Sequence, residues 1–388
     1  MPLINSRTGK VYRTYSVEEL EEAANLMRGY SLIALGAAGS GHSGGTLSLI
    51  DVAAALYLHE ANLDPKDPFW PNRDRIFWSA GHKAPILYTS LGMAGFFDIE
   101  EVATLRKLHS PFQGHPHWLK LKGVEASSGS LGQGLSFSIG DALAARLDQQ
   151  NYRVYCLMGD GEQQEGQVWE AAMEACHYKL DNLCAIVDKN RLQIDGCIDD
   201  VMCIDPLADK YRSFGWHVIE IDGHDIKQIL DAFKKAKETK GKPSLIIAHS
   251  TKGKGVSFME DVCGWHGKAP SIEEMRDALQ QLGLNRKLPV EKLLAKAADY
   301  QKKVTEELEA KQPKFSQNYF WNSGETMKVE MVATRMGFGR ALAEHGDDPR
   351  IVCLGADISD SITISQFYKD YPERSERWLS MGIAEQSG

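Results

Sequence analysis

Two polar residues, Asp160 and Asn190, each end a run of mostly apolar residues. The runs read "YRVYCLMGD" and "NLCAIVDKN", and the helix-periodic stretch "QVWEAAMEACHYK" lies between them. In a right-handed β-α-β unit the two strands are parallel and end at the same edge of the sheet, so we expect the two polar side chains to be neighbours. A carboxylate and an amide oxygen suit a divalent cation such as Mg²⁺ that keeps positions open for phosphate oxygens. The pair therefore predicts a metal ion that binds a diphosphate.

The simpler interpretation of the same two residues is structural. The glycines on either side of Asp160 are typical of a turn, and an asparagine such as Asn190 commonly caps the segment that follows it. Glycine also lets the backbone approach a ligand closely, and open α/β sheets bind their ligands at this edge. On these residues alone, both interpretations stay open.

Five glycine-rich loops favour the functional interpretation. Four of them hold a histidine: His42 in "AAGSGHSGG", His82 in "WSAGHKAP", His115 in "FQGHPHW" and His266 in "CGWHGKAP". The fifth, "SSGSLGQG" at 127–134, precedes a helix and offers backbone N–H groups to anions. One such histidine is typical of a turn or a core, but five such loops in one chain indicate a ligand site. Histidines in less distinctive settings are interpreted as structural: His59, His109, His177, His217, His224, His249 and His345.

Strand-like runs alternate with helix-periodic stretches through the middle of the chain. The runs "HVIEIDGHD" and "PSLIIAHSTKG" follow the first two, with the helical "DIKQILDAFKKAKETK" between them. This alternation predicts an α/β fold with a doubly wound parallel sheet. A second α/β pattern starts with "EMVATRMGFGRALAEH" and "RIVCLGADIS". We therefore predict a first domain over residues 1–270, a helical and irregular connection over 271–325, and the beginning of a second, incomplete domain over 326–388.

The composition is that of an ordinary globular protein, with 388 residues of which 43% are hydrophobic. The formal charge of −9 and the lack of long basic runs argue against a nucleic-acid-binding surface. Seven cysteines without a CxxC pair indicate reduced thiols. The sequence shows neither a secretory signal nor an apolar run of membrane-spanning length, so we expect a cytoplasmic protein with no membrane or nucleic-acid partner.

These motifs, in this order, resemble those of the transketolase family of thiamine-diphosphate enzymes. The resemblance extends from the "SGH" loop to "GIAEQ" at the end of the chain. It implies the thiamine-diphosphate-binding fold, with Mg²⁺ as the metal and Ca²⁺ or Mn²⁺ as substitutes, in a homodimer with active sites at the interface. It also implies reversible transfer of a two-carbon ketol unit from a ketose phosphate to an aldose phosphate, through a carbanion of thiamine diphosphate, as in the pentose phosphate pathway.

The resemblance assigns roles by position. The metal ligands it implies are Asp160, Asn190 and the backbone carbonyl of Leu192. The residues that it implies contact the cofactor are His82, Gly129, Leu131, Gly161, Glu165, Glu170, Asn190, His266, Asp357 and Glu385. Those that it implies contact the substrate are His42, His115, His266, Arg335 and Ser361. Those that it implies take part in catalysis are Glu385, His42, His115 and His266.

Within this set the family roles differ. The equivalents of His42 and His115 bond the reacting carbonyl and hydroxyl oxygens of the sugar, whereas His82 and His266 match residues that reach the diphosphate. Glu385 matches the glutamate that shares a proton with N1′ of the pyrimidine, which promotes loss of the thiazolium C2 proton. Glu165 and Glu170 resemble glutamates that couple two active sites across the subunit interface.

Alternative functions stay open. Synthases of 1-deoxyxylulose 5-phosphate also carry "IAEQ", although Glu165 and Glu170 make this chain more similar to transketolases. The oxidative decarboxylases that feed lipoyl carriers share the "GDG" motif but have no counterpart of the "SGH" and "GHP" loops. A non-catalytic thiamine-diphosphate-binding subunit or fragment is a further alternative, because family members continue after "GIAEQ" with an aromatic pyrimidine pocket and a third domain. We interpret the chain as ending within the pyrimidine-binding domain.

Overall fold

A five-stranded parallel sheet forms the centre of the protein, with strand order β1-β2-β3-β5-β4. The computed structural model describes residues 15–311 and 332–384. The strands are β1 (Arg75–Trp78), β2 (Val154–Gly159), β3 (Leu183–Lys189), β4 (His217–Asp222) and β5 (Ser244–His249). Every neighbouring pair is parallel. The α/β fold with a parallel sheet that the sequence predicts is confirmed.

Helices cover both faces of the sheet, because successive side chains of a strand point to opposite faces. In β2, Tyr155 and Leu157 pack into one core, whereas Cys156 and Met158 pack into the other. The helices of the first core are α1 (Val17–Ala38), α2 (Ser43–Ser48), α3 (Ile50–Ala55), α4 (Ala84–Ala94), α9 (Ile226–Glu238), α10 (Ile272–Gln281) and α11 (Val290–Lys311). Those of the second core are α5 (Gly134–Leu147), α6 (Gly166–His177), α7 (Ile198–Val201) and α8 (Leu207–Phe214).

Helices α10 and α11 lie in the stretch that we predict as an interdomain connection. Their apolar side chains, including Met275, Leu279 and Leu293, are buried in the same core as α1. The charged residues of the segment lie on the opposite side, as in other amphipathic helices at a protein surface. The domain boundaries stay a prediction, but this packing favours including the start of the segment in the first domain.

Residues 332–384 form a second, smaller α/β unit. It contains α12 (Thr334–His345), β6 (Cys353–Gly355) and β7 (Trp378–Ser380), and the two strands pair in parallel. Cys353, Ile364 and Phe367 form its small core. This is the second α/β pattern expected from the sequence.

All seven cysteines lie in the described part of the chain, and each is a free thiol. Within residues 15–311 and 332–384, none of the helices combines the length and the apolar character needed to cross a membrane.

Candidate active site

The structure brings Asp160 and Asn190 together at the carboxyl edge of the sheet. Gly159, the last residue of β2, pairs with Asp188 of β3, so both polar residues follow paired positions at the ends of neighbouring strands. Their exposed fractions are 3% and 5%, and both line one pocket of about 830 Å³. Parallel strands that run in the same direction place their ends at one edge, which is where ligands of open α/β sheets bind.

The three residues predicted to bind the metal, Asp160, Asn190 and Leu192, all line this pocket. The Nζ atom of Lys252 donates to the Leu192 carbonyl at 2.5 Å and to Asn190 Oδ1 at 3.4 Å. The Asp160 carboxylate accepts hydrogen bonds from the backbone N–H groups of Gly161, at 2.9 Å, and Arg191. Two of the three predicted metal ligands thus already accept hydrogen bonds from one ammonium group. Their oxygen atoms fit a metal cation that prefers oxygen ligands.

Four histidine side chains gather at the same pocket. The ring of His42 lies 5.3 Å from that of His82, 6.0 Å from that of His115 and 5.9 Å from that of His266, measured between centroids. The rings of His82 and His266 are stacked at 5.2 Å. His266 Nδ1 lies 2.7 Å from Nζ of Lys252, which puts this histidine on the side of the predicted metal ligands. The four loops that hold these histidines are far apart in sequence and meet only here.

Burial keeps the imidazoles of His42, His82 and His266 neutral near neutral pH. It is the main cause that lowers the pKa of His42 to about 3, and the nearby His115 and Arg106 lower it further. The pKa values of His82 and His266 also lie well below the ordinary value, chiefly because of burial and then because of nearby histidine and lysine side chains. A neutral imidazole both donates and accepts hydrogen bonds, which suits contacts with sugar hydroxyl and phosphate oxygens.

Burial has the opposite effect on the acid of the site. It raises the pKa of Asp160 to about 6, and the nearby Asp188 carboxylate adds to the rise. Burial also lowers the pKa of Lys252 to about 8. The raised pKa of Asp160 and the lowered pKa of Lys252 both mean that the pocket disfavours an isolated charge. A divalent cation beside Asp160 would stabilise the ionised carboxylate. The site therefore fits a bound metal electrostatically as well as in its ligand types.

We expect the free energy of unfolding to fall as the pH is lowered from 7.5 to 5.5. The pKa of His82 lies far below its ordinary 6.5, so below that pH the unfolded chain binds a proton that the folded chain does not. Each such histidine removes about 1.4 kcal/mol of stability per pH unit below 6.5. Chemical denaturation at both pH values should show a loss that is about 1 kcal/mol smaller in His82→Asn than in the unmodified chain. Equal losses would contradict a neutral His82.

The glycine-serine loop and the second unit complete the walls of the pocket. Gly129, Leu131 and Gly161 line it, as does Asp357 from residues 332–384. The Asp357 carboxylate accepts hydrogen bonds from the backbone N–H groups of Ile194, at 3.0 Å, and Asp195, at 2.8 Å. The second unit thus holds the loop that follows Asn190, within one chain.

A Cβ atom on Gly161 would lie 2.8 Å from Cδ1 of Ile383. Because this atom is the far end of the Ile383 side chain, a small residue at position 161 would require only a local shift of that side chain.

Four predicted residues do not line the pocket in this chain. Glu165 is buried at the start of α6, and Glu170 is exposed along the same helix, which leads away from the sheet edge. Arg335 and Ser361 are exposed on the second unit. Their assignment as direct cofactor or substrate contacts receives no support from the geometry within one chain, and the role of the two glutamates at an interface stays a prediction. Glu385 lies outside the described residues.

The structure adds three buried residues that the motif analysis did not assign: Lys83, Glu162 and Lys252. Glu162 accepts hydrogen bonds from the backbone N–H groups of Gly132 and Gly159, at 2.8 and 2.9 Å, and from the Ser79 hydroxyl. It therefore joins the strand end to the glycine-serine loop. The place of Glu162 in "GDGE" and that of Lys83 directly after His82 were signals, whereas Lys252 stands in ordinary sequence surroundings.

A comparison with protein-family models finds one family whose model covers both the central sheet and most residues of the pocket. Residues 20–336 match the model of the transketolase thiamine diphosphate binding domain. The chain belongs to the transketolase family. The match covers most of the chain and includes the predicted metal ligands, the four histidines and the glycine-serine loop.

Individual relatives of this transketolase-family chain fall into two groups by length. It is 42% identical over 264 residues to a 6-deoxy-6-sulfo-D-fructose transketolase subunit of Clostridium sp. (strain MSTE9), with 68% of this chain and 96% of that subunit covered. It is 36% identical over 375 residues to the transketolase of Homo sapiens, with 96% of this chain and 57% of that protein covered. The chain thus spans almost all of the subunit but little more than half of the human protein.

Comparison with solved structures likewise shows that the chain aligns with only part of a longer transketolase. The transketolase of Campylobacter jejuni subsp. jejuni NCTC 11168 aligns with 96% of this chain and 62% of its own length, at a TM-score of 0.67 and 30% sequence identity. Likeness over nearly the whole described chain supports the transketolase fold in both the central sheet and the smaller unit.

Proposed function

We propose that the chain performs the ketol transfer of transketolases, moving a two-carbon unit reversibly from a ketose phosphate to an aldose phosphate. The observation that carries this proposal is the single pocket in which a set of oxygen ligands for a cation lies beside four histidines, three of which (His42, His82 and His266) are kept neutral by burial. The first set suits a metal-bound diphosphate, and the second suits the hydroxyl and carbonyl oxygens of a sugar. A cytoplasmic location fits this role and stays a prediction.

Thiamine diphosphate and a divalent cation, with Mg²⁺ first, are the cofactors that the site fits. Asp160, Asn190 and the carbonyl of Leu192 would hold the cation, and the backbone at Gly161 would face the diphosphate. The cationic Lys252, together with the N–H groups of His82 and His266, would offset the remaining phosphate charge. Lys252 already donates a hydrogen bond 2.5 Å long to the Leu192 carbonyl and one 3.4 Å long to Asn190 Oδ1. When bound, thiamine diphosphate supplies the nucleophilic carbon and the electron sink for breaking a carbon–carbon bond.

The residues of the chain would then orient the sugar and move its protons. His42 lies between His115 and the stacked pair of His82 and His266, so it can reach the atoms next to the cofactor. Its Nδ1 atom is buried and has no hydrogen-bond partner among the described residues. His115 is more exposed and lies at the mouth of the pocket. Both imidazoles can bond the oxygens on which charge changes during transfer.

The partners that we propose are sugar phosphates and a second copy of the chain, with the active site at a two-fold interface. Two relatives are named as transketolase subunits, one for 6-deoxy-6-sulfo-D-fructose and one, from Phocaeicola vulgatus, for apulose-4-phosphate. Those names support an assembly of more than one chain and a range of ketose substrates. Glu385 would share its proton with the pyrimidine N1′ in that assembly.

The direct test measures cofactor binding and ketol transfer separately. Calorimetry with thiamine diphosphate should give heat of binding when Mg²⁺ is present and little after chelation of the metal. Transfer should then be followed with ketose phosphate donors and an aldose phosphate acceptor. Binding without transfer from any ketose would favour a non-catalytic cofactor-binding subunit, and release of carbon dioxide from pyruvate would favour a deoxyxylulose-phosphate synthase instead.

A further inference from the structure

A buried lysine and a buried aspartate lie directly behind the candidate metal site. Lys83 follows His82 in a short 3₁₀ turn (Gly81–Lys83), and Asp188 is the sixth residue of β3. The Lys83 ammonium contacts Asp188 Oδ2, and the two side chains are only 2% and 0% exposed. Neither residue has a role in the ketol transfer proposed above.

Asp188 joins four separate segments of the chain through one carboxylate. Its Oδ2 atom accepts hydrogen bonds from the Ser48 hydroxyl at 2.6 Å, from Nδ2 of Asn190 at 2.9 Å and from Lys83. Its Oδ1 atom accepts one from the Ser250 hydroxyl. Because the three donors to Oδ2 come from α2, from the turn after β1 and from the end of β3, three segments of the chain fix the position of this oxygen.

The fixed carboxylate determines which way the Asn190 amide faces. A carboxylate only accepts hydrogen bonds, so the amide turns its Nδ2 atom towards Asp188 and its Oδ1 atom away from it. Oδ1 then accepts hydrogen bonds from the Leu192 N–H at 3.2 Å and from Lys252 at 3.4 Å. This is the side on which the cation would bind. A flipped amide would present an N–H group to the cation and would lose one metal ligand.

We propose that Lys83 and Asp188 are positioning residues that hold the Asn190 amide oxygen towards the metal. The proposal rests on the metal site of the proposed function. A buried ion pair is weak evidence for stability, because loss of hydration offsets much of the attraction between the charges. Its place beside a predicted metal ligand accounts for it better, since partners behind a metal ligand set the ligand's orientation and affect metal affinity.

Charge and positioning predict opposite effects when Lys83 is replaced. Lys83→Met removes a positive charge from beside the site, and by Coulomb's law alone Mg²⁺ should then bind more tightly. If Lys83 instead holds Asp188 and the Asn190 amide in place, Mg²⁺ should bind more weakly. The sign of the change in Mg²⁺ affinity therefore separates the two roles.

The experiment is a calorimetric titration of Mg²⁺ at a fixed concentration of thiamine diphosphate. We expect Lys83→Met and Asp188→Asn to weaken Mg²⁺ binding about 10- to 100-fold, as is typical for partners behind a metal ligand. Saturating Mg²⁺ should return the affinity for thiamine diphosphate to nearly that of the unmodified chain. Lys83→Gln, which keeps an N–H donor, should restore much of the Mg²⁺ affinity.

Ser250→Ala is the matched control, because it removes a hydrogen bond to the same carboxylate but at Oδ1, the oxygen that does not contact Asn190. It should lower the thermal stability of the chain yet leave Mg²⁺ affinity within about threefold, a difference of less than 1 kcal/mol. If Asp188→Asn does not fold, the two Lys83 variants decide the question.

Unchanged or tighter Mg²⁺ binding in Lys83→Met would overturn the positioning role, and so would equal weakening in Ser250→Ala, which would indicate general loosening. Both outcomes leave the proposed function intact as long as the unmodified chain binds its cofactor with Mg²⁺. An unmodified chain without Mg²⁺-dependent binding would overturn the proposed function, and this inference with it.

Discussion

Asp160→Ala is expected to abolish Mg²⁺-dependent binding of thiamine diphosphate. Asp160 is the one acid among the three predicted metal ligands, and its carboxylate is 3% exposed at the edge of the sheet. Without it the cation would keep one amide and one carbonyl oxygen from the protein, which is too few to compete with water for Mg²⁺. Binding of Mg²⁺ and binding of the diphosphate should therefore be lost together.

Calorimetry with and without Mg²⁺ measures this loss, and Asn190→Ala should weaken binding in the same sense. Asp200→Ala is a suitable control, because Asp200 is an exposed acid in α7 that does not line the pocket. It should bind the cofactor as the unmodified chain does. Unchanged cofactor affinity in Asp160→Ala would show that the metal assignment is wrong.

Replacement of His42 or His115 with alanine is expected to reduce ketol transfer by about 10²-fold or more, the usual contribution of acid–base and oxyanion contacts. Cofactor affinity should stay nearly constant, because the resemblance assigns these two histidines to the sugar oxygens, whereas His266 lies beside Lys252. The pKa of His42, about 3, keeps it neutral throughout the physiological range. Its contribution should therefore not vary between pH 6 and pH 8.

Two measurements on each variant separate the roles: the rate of transfer from a ketose phosphate, and the calorimetric affinity for thiamine diphosphate with Mg²⁺. His177→Ala is the control, because His177 is an exposed histidine at the end of α6 and should retain both properties. A large fall in cofactor affinity for His42→Ala would place this loop at the diphosphate and would contradict the division of roles among the histidines.

Sequence pattern alone predicted β2, β3, β4 and β5 of the central sheet and the meeting of Asp160 and Asn190. Buried strands of a parallel sheet are continuous apolar runs, and the right-handed connection between them leaves little choice about where their ends lie. The glycine-rich loops also identified the four histidines, because a histidine among glycines is unusual enough to be noticed. Each strand run and each glycine-rich loop is a local signal in the sequence.

The packing of α10 and α11 against the core was harder to predict from the sequence. Their charged residues dominate the sequence of that segment, whereas the apolar positions that reach the core, such as Met275 and Leu293, recur only once per turn or two. Such a pattern is common to connecting helices and to helices that cover a domain, so only the docking against α1 distinguishes the two.

The sequence by itself determined the fold class, the place of the ligand site and most of the side chains that face it. Only the tertiary structure showed that Lys83 contacts Asp188, although 105 positions separate them, and that Lys252 contacts Asn190 across 62 positions. The reason is physical: apolar periodicity and turn residues act on near neighbours in the chain. A hydrogen bond between distant side chains depends instead on the order of the strands and on the loops that end beside one another at the edge of the sheet.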